Sequence, residues 1–348
     1  MKALVTGATG FLGRHLVAEL LGRGDDVTAL VRPGTDPPPQ LAAAVRLVRT
    51  DLRSPGAELD EAVAAADVIY HLAASLAGSW RAMFEANVAG TEHLARAIER
   101  AAWKGRLVHV STFSVYALNQ LRRGGVVDEA TPLEPRPGDR DDYAWTKVLQ
   151  ERVVRAIERE GGPQLVVVRP GTVYGAERQF QHRIGRQIGG RAVLLLGGRN
   201  LMPLTYVENT ASLVAECGRH PAAAGRVFNA VDPEPITQWR YLRAWLRAQD
   251  RAVAVLPFPL ALLWLISTGL AVAQRRSGGA VRPVALLRSY VMGPTLRPLR
   301  YAPSQAQDVL GWRAPVDLQE ALARTFGRAS ELGSAQGAGS PVAQSVKP

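Results

Sequence analysis

Tyr143 and Lys147 stand four residues apart in Tyr143-Ala144-Trp145-Thr146-Lys147. On a helix that spacing puts a phenol and an ammonium on one face. There the cation would lower the phenol's pKa and make it a proton donor or acceptor near neutral pH. Lysine is scarce in this chain: Lys2, Lys104, Lys147 and Lys347 stand among forty-two basic residues, and all the others are arginine. An ammonium at 147 therefore reads as a position that needs a compact point charge rather than a planar guanidinium. A hydroxyl-rich stretch, Ser111-Thr112-Phe113-Ser114-Val115-Tyr116, closes an earlier aliphatic run. That is where a parallel sheet presents its carboxyl edge to ligands, so one of these hydroxyls can hold a substrate oxygen beside Tyr143.

A second constellation lies at the start of the chain. Thr6-Gly7-Ala8-Thr9-Gly10-Phe11-Leu12-Gly13 separates an aliphatic run at 2–6 from an amphipathic stretch beginning at residue 12. In that context Gly7 permits a tight turn, Gly10 lets the backbone approach a pyrophosphate, and Gly13 lets helix pack on strand. The phosphates would rest at the helix N-terminus. The pattern predicts a dinucleotide site that includes Gly7, Thr9, Gly10, Phe11, Leu12 and Gly13. A site selective for NAD carries an acid at the end of the second strand to bind the ribose 2′-hydroxyl; here Val31 is followed by Arg32. A guanidinium there pairs with a 2′-phosphate, so of the NAD(P) cofactors NADP(H) is favoured over NAD(H). Asp51-Leu52, after the third strand, offers a carboxylate to the adenine amino group.

Around these residues the chain alternates short aliphatic runs with longer Ala/Leu/Arg segments of helical period, the pattern of βαβ units and a parallel sheet. Strands are expected at 2–6, 26–31, 45–49, 68–71, 106–111 and 165–169, with helices at 12–23, 59–65, 83–103 and 142–160. A further strand at 226–230 returns to the sheet after a helix at 207–218. The expected fold is α/β, a doubly wound parallel Rossmann sheet with a smaller, mixed, C-terminal substrate-binding lobe. Residues 1–175 form the dinucleotide core, completed by 203–231; residues 176–202 and 232–330 form the lobe. From 331 to 348 the chain is Gly, Ser, Ala and Gln with little to bury, which reads as a disordered tail.

Composition narrows the partners. Apolar residues make up 47% and charged residues 21%, as in ordinary globular chains. One cysteine, Cys217, cannot form an internal disulfide, and the opening MKALVTG has no secretory pattern, so a cytoplasmic location is expected. The charge of +11 is spread without a basic block or zinc-finger spacing, which argues against nucleic acid. No metal ligand set is evident. Arg183, Arg186, Arg191 and Arg199 fit either a phosphate or solvent. Residues 252–274 carry no charge and precede Arg275 and Arg276. After Pro257 and Pro259 this leaves a helix of about fifteen residues, roughly 22 Å against a hydrocarbon core of about 30 Å. It is too short to span; a buried or pocket-lining helix is the ordinary reading, and peripheral contact of 257–276 with the inner face of a membrane is the alternative.

Taken together, these motifs resemble the extended short-chain dehydrogenase/reductase family, also called the NAD-dependent epimerase/dehydratase family, over residues 1–235, and again at Leu310-Gly311-Trp312-Arg313. The resemblance implies the site position by position. The family's glycine motif falls on Gly7, Gly10 and Gly13, and its adenine-contacting pair on Asp51-Leu52. Its loop beside the nicotinamide ribose falls on His71-Leu72-Ala73-Ala74, and its site-ordering asparagine on Asn87. Its catalytic Ser/Thr, Tyr and Lys fall on Thr112, Tyr143 and Lys147, with Ser111 beside the cofactor. Its strand end Arg-Pro-x-x-Val-Tyr-Gly matches residues 169–175 and brings Pro170 and Val173 to the nicotinamide. The segment 200–209 lacks the Arg-Asp-(Phe/Tyr) run common in nucleotide-sugar members, and with the apolar 252–274 this resembles the branches acting on hydrophobic alcohols or ketones. The resemblance thus implies an enzyme that passes hydride between NAD(P) and a secondary alcohol or ketone, steroid-like, isoprenoid-like or sugar, with a small-molecule substrate and a homodimer by family analogy. A nucleotide-sugar epimerase/dehydratase and a non-catalytic NADP-binding sensor or assembly protein remain open alternatives.

Overall fold

Near-continuous runs of Val, Leu, Ile and Ala leave no polar face for a strand to turn to water, so such strands must be covered on both sides. The computed structural model, which describes residues 1–158, 161–181, 183–277, 297–302 and 305–327, builds them into a seven-stranded parallel sheet. Its strands are β1 (Lys2–Thr6), β2 (Asp26–Val31), β3 (Arg46–Arg49), β4 (Val68–His71), β5 (Arg106–Val110), β7 (Gln164–Pro170) and β13 (Val227–Ala230). The spatial order is β13-β7-β5-β4-β1-β2-β3, with every pairing parallel. The chain winds outward from β1 to β3 and then restarts at β4 on the other side of β1. That reversal opens a crevice at the carboxyl ends of β1 and β4, where open α/β sheets take ligands.

Helices α1 (Phe11–Gly22), α2 (Pro39–Ala44), α3 (Ala57–Ala64), α4 (Trp80–Phe84), α5 (Gly90–Arg100), α6 (Asp142–Ala156) and α7 (Val207–Arg219) accompany the sheet. One face packs Leu16, Val17 and Leu20 of α1 and Leu213 and Val214 of α7 against Val5, Val108 and Val166. The other packs Leu59 and Val63 of α3, Leu94 and Ile98 of α5 and Val154 of α6 against Leu4, Ile69 and Leu107.

The smaller lobe is built from short pieces. Strand β6 (Val126–Val127) pairs with β16 (Arg300–Tyr301), β8 (Thr172–Tyr174) with β12 (Leu204–Tyr206), and β11 (Leu201–Met202) with β14 (Ile236–Thr237). A mixed sheet joins β9 (Gly185–Ile188), β10 (Ala192–Leu196) and β15 (Ala254–Phe258). Helices α8 (Gln238–Arg247), α9 (Leu260–Arg276), α10 (Ala306–Leu310) and α11 (Leu318–Phe326) complete it. Its core gathers Tyr174, Val193, Leu195, Tyr206, Tyr241 and Trp245.

Two expectations change. The helix expected at 83–103 is α4, one π-helical turn at Glu85–Ala89, then α5. At the start of the apolar segment, which Pro257 and Pro259 interrupt, the chain forms edge strand β15, and the helix expected after these prolines is α9. The second change is that α9 is not buried throughout: among its described side chains Leu262, Leu265, Ile266 and Val272 are 47, 60, 40 and 42% exposed, whereas Ser267 is buried. No helix among the described residues is long and apolar enough to cross a membrane. The tail expected to be disordered, 331–348, lies outside the described residues.

Candidate functional site

The glycine turn is dictated by crowding. Gly7 adopts φ +73°, and a Cβ there would sit 2.8 Å from the Ala73 backbone nitrogen; a Cβ on Gly13 would sit 2.1 Å from the Gly7 carbonyl. Gly10 caps α1 with no side-chain hydrogen bond, and the first turn holds no acidic residue. Free amides and the positive end of the helix dipole therefore face the crevice, a fitting cradle for a pyrophosphate.

From this turn the cleft runs in two directions. One cavity of about 550 Å³ is lined by Gly7, Thr9, Gly10, Arg32, Asp51, Leu52, Ala73 and Ala74, among others. A second, of about 450 Å³, is lined by Phe11, Leu12, Gly13, Leu72, Ser111, Thr112, Tyr143, Lys147, Pro170 and Val173, among others. Gly7, Gly10, Leu72, Ala74 and Leu76 line both. The crevice brings together every candidate residue except Asn87, and it could take a dinucleotide with its adenine at the Asp51 end and its nicotinamide at the Tyr143 end.

Asn87 works from behind the wall. It lies in the π turn, fully buried. Its Oδ1 accepts from the Ser75 amide at 2.6 Å, and its Nδ2 donates to Thr146 Oγ1 at 3.0 Å and to the Ser75 carbonyl at 3.1 Å. It ties the loop after β4 to the helix that carries Tyr143. The extra residue of the π turn supplies this inward placement.

Helix α6 starts where Asp141 caps it, accepting from the Ala144 amide at 2.7 Å. Tyr143 falls in the first turn and Lys147 one turn later. Thr112 and Tyr143 line the same stretch of the cleft, and the Thr112 hydroxyl is near enough to the phenol to favour its ionised form. Burial pushes Tyr143 up to about 12, while Thr112 and the charge of Arg178 pull it down and Asp141 pushes it up. The expected control by Lys147 is not what the structure has. The Lys147 Nζ donates to the Val110 carbonyl at 3.0 Å and to Gln150 Oε1, turned into the protein rather than onto the phenol. Burial pulls Lys147 down to about 7, against the opposing pull of Glu151.

Two buried networks hold this arrangement. The Gln150 Nε2 donates to Thr91 Oγ1 at 2.9 Å and to the Ala73 carbonyl at 3.2 Å. Thr91 Oγ1 donates to the Asn87 carbonyl at 2.6 Å, so it accepts from His71 Nε2 at 2.8 Å. The His71 Nδ1 then accepts from Thr6 Oγ1 at 2.8 Å. Burial, with the charge of Lys147, pulls His71 down to about 3 and keeps it neutral. In the second network, Glu151 accepts from Ser111 Oγ at 2.8 Å, from Arg155 Nη2 at 3.0 Å and from Arg169 through both Nε, at 3.2 Å, and Nη2. Burial pushes the Glu151 carboxyl up, but Arg169, Ser111 and Arg155 outweigh it and hold the group below its usual range. Ser111 thus lines the cleft with its hydroxyl donated inward.

Residues that sequence reasoning passed over also reach the cleft. Arg178 and Gln181 line the nicotinamide end, and the Arg178 guanidinium lies 5.0 Å from the centroid of the Phe11 ring. Leu76, 53% exposed, stands where the two cavities meet. Arg53 lines the adenine end and grips Asp51 with Nε at 3.0 Å and Nη2 at 2.6 Å, which lowers the Asp51 pKa. None belongs to a periodic or spaced motif, so the sequence offered no signal for them.

A family model, the NAD dependent epimerase/dehydratase family, matches residues 3–230. The chain belongs to that family. It is accordingly an oxidoreductase-type enzyme that works with a nicotinamide dinucleotide. A 2-alkyl-3-oxoalkanoate reductase of Stenotrophomonas maltophilia is 35% identical over 247 residues, 68% of this chain and 72% of the relative. The 4-hydroxy-2-methyl-3-oxo-4-farnesyl-3,4-dihydroquinoline-1-oxide ketoreductase of Stigmatella aurantiaca is 31% identical over 332 residues, 92% of this chain and 95% of the relative. Among solved structures, a UDP-glucuronic acid 4-epimerase from Bacillus cereus in complex with NAD superposes with a TM-score of 0.67 at 21% identity, covering 95% of this chain and 99% of that one. This last likeness establishes the fold.

Proposed function

We propose that this enzyme is an NAD(P)-dependent dehydrogenase or reductase that interconverts a secondary alcohol and a ketone on a hydrophobic substrate. The observation that carries the reading is the Thr112 hydroxyl beside the Tyr143 phenol in an otherwise largely apolar cavity lined by Phe11, Leu12, Leu72, Leu76, Val110 and Val173, with no Asp or Glu in its described lining. With its pKa near 12, Tyr143 stays protonated at neutral pH and is the acid for a ketone oxygen as negative charge develops on it. Thr112 donates a second hydrogen bond to the same oxygen. In the reverse direction Tyr143 takes the alcohol proton. Lys147, poised near 7, supplies a positive charge beside the dinucleotide site, and the bound dinucleotide supplies or takes up the hydride. The apolar lining and the ketone-reducing relatives favour this chemistry over a sugar nucleotide. Tyr143→Phe should lower turnover by about 10²–10⁴-fold while leaving dinucleotide binding intact; wild-type turnover in that variant would refute the assignment.

For the dinucleotide, NADP(H) is the better fit. Arg32 closes β2, is exposed, and lines the adenine cavity next to Asp51, where its charge helps lower the Asp51 pKa. A 2′-phosphate would meet this guanidinium rather than a carboxylate.

A further inference from the structure

The positive charge of this protein is localised. Residues 178–207 and 251–307 hold twelve arginines and no Asp or Glu, whereas the remainder carries thirty basic against thirty-one acidic residues. The whole surplus belongs to these two stretches. They lie far apart in the chain, yet they fold together: β10 from the first pairs in parallel with β15 from the second, and β9 completes the sheet.

Strand alternation gives that sheet two faces. Val193 and Leu195 point into the core of the smaller lobe, 0 and 7% exposed. The opposite phase, fixed by the pairings of Leu194 with Arg186 and Leu256 and of Ala192 with Ile188, carries Arg186, Ile188 and Leu256. Ile188 and Leu256 are 48 and 46% exposed. After Pro259 the chain enters α9 with the exposed Leu262, Leu265, Ile266 and Val272. Six of the eleven large hydrophobic side chains that are exposed among the described residues therefore belong to this one strand and helix region. Arg186 on β9, Arg191 and Arg251 beside β10 and β15, and Arg276 at the end of α9 are exposed as well.

We propose that this surface docks on an anionic lipid bilayer, with the arginines at phosphate headgroups and the aliphatic side chains among the acyl chains. Interleaved aliphatics gain nothing against a nucleic-acid backbone, where binding comes from charge alone. A second copy of this chain is disfavoured because two arginine-rich surfaces repel. Helix α9, seventeen residues long, lies along the interface instead of crossing it. The inference is independent of the reaction assigned to the cleft.

The test is pelleting of the full chain with vesicles of phosphatidylcholine alone and of phosphatidylcholine with phosphatidylglycerol, at low and high salt. Binding should require phosphatidylglycerol and weaken with salt. Two independent pairs, Arg186→Glu with Arg191→Glu and Leu262→Asp with Leu265→Asp, should each reduce binding by about tenfold or more. Thermal midpoint and dinucleotide affinity should stay at wild type in both, since all four residues are exposed and outside the cleft. No pelleting with anionic vesicles, or unchanged pelleting of both variant pairs, would overturn the proposal. So would a preference for single-stranded nucleic acid over vesicles, or a dimer that the leucine pair abolishes while vesicles are ignored.

Discussion

The burial of Lys147 makes a prediction about stability. The group is charged in the unfolded chain up to about pH 10.5 but is held near 7 in the folded protein, chiefly by desolvation. Between these values the unfolded chain binds the extra proton, so this lysine makes the fold more stable as pH rises, and its cost is greatest below 7. The lysine is half-titrated at pH 7, so the step from pH 7 to pH 9 should add about 2 kcal/mol. Lys147→Met removes the titration. It also deletes the hydrogen bonds to Val110 and Gln150, but that loss is the same at both pH values and cancels in the difference. Urea denaturation of both proteins at pH 7 and 9 reads it out. Wild type should gain about 2 kcal/mol more over the step than Lys147→Met. Equal pH responses would show that Lys147 is not desolvated, and the picture of a poised amine in a dry site would fall with it.

Three further outcomes follow from the same structure. Glu151→Gln leaves the Arg169 guanidinium, whose side chain is 4% exposed, without its counter-charge, and should cost about 3–5 kcal/mol in denaturant unfolding. Gly13→Ala drives a Cβ against the Gly7 carbonyl; backbone cannot yield there, so dinucleotide titration should show lost binding, with destabilisation of about 1–3 kcal/mol. Arg32→Ala should weaken NADPH about tenfold and leave NADH unchanged in a fluorescence titration, as expected for losing one solvent-exposed charge-assisted contact.

The parallel sheet was legible because its strands are apolar throughout and bounded by turn residues: β1, β2 and β4 fall on the expected residues, and β3, β5, β7 and β13 differ by about one residue at an end. The glycine turn and the Tyr143–Lys147 helix were legible because both depend on fixed local spacings. What escaped was tertiary. The π turn at Glu85–Ala89 leaves no mark in apolar periodicity, since it inserts one residue into an unbroken helical pattern. The short strands β8, β11, β12 and β14, of two or three residues each, are too brief for alternation to register. Arg178 reaches the cleft because the chain folds back at the bridge between Gly175 and Arg178, a contact no spacing rule encodes. The charge surplus looked scattered in the sequence because its two sources, more than forty residues apart, are brought together by tertiary contacts such as the β10–β15 pairing.

In the proposed reaction an exchangeable nicotinamide dinucleotide serves a ketone or alcohol at Tyr143. The most direct measurement is the absorbance and fluorescence of the purified, dialysed protein, followed by titration with NADPH and NADH. The dialysed protein should be free of dinucleotide and should then take up NADPH in preference to NADH. A dinucleotide that survives dialysis would contradict the proposed reaction and point instead to an epimerase or dehydratase that keeps its cofactor through the reaction.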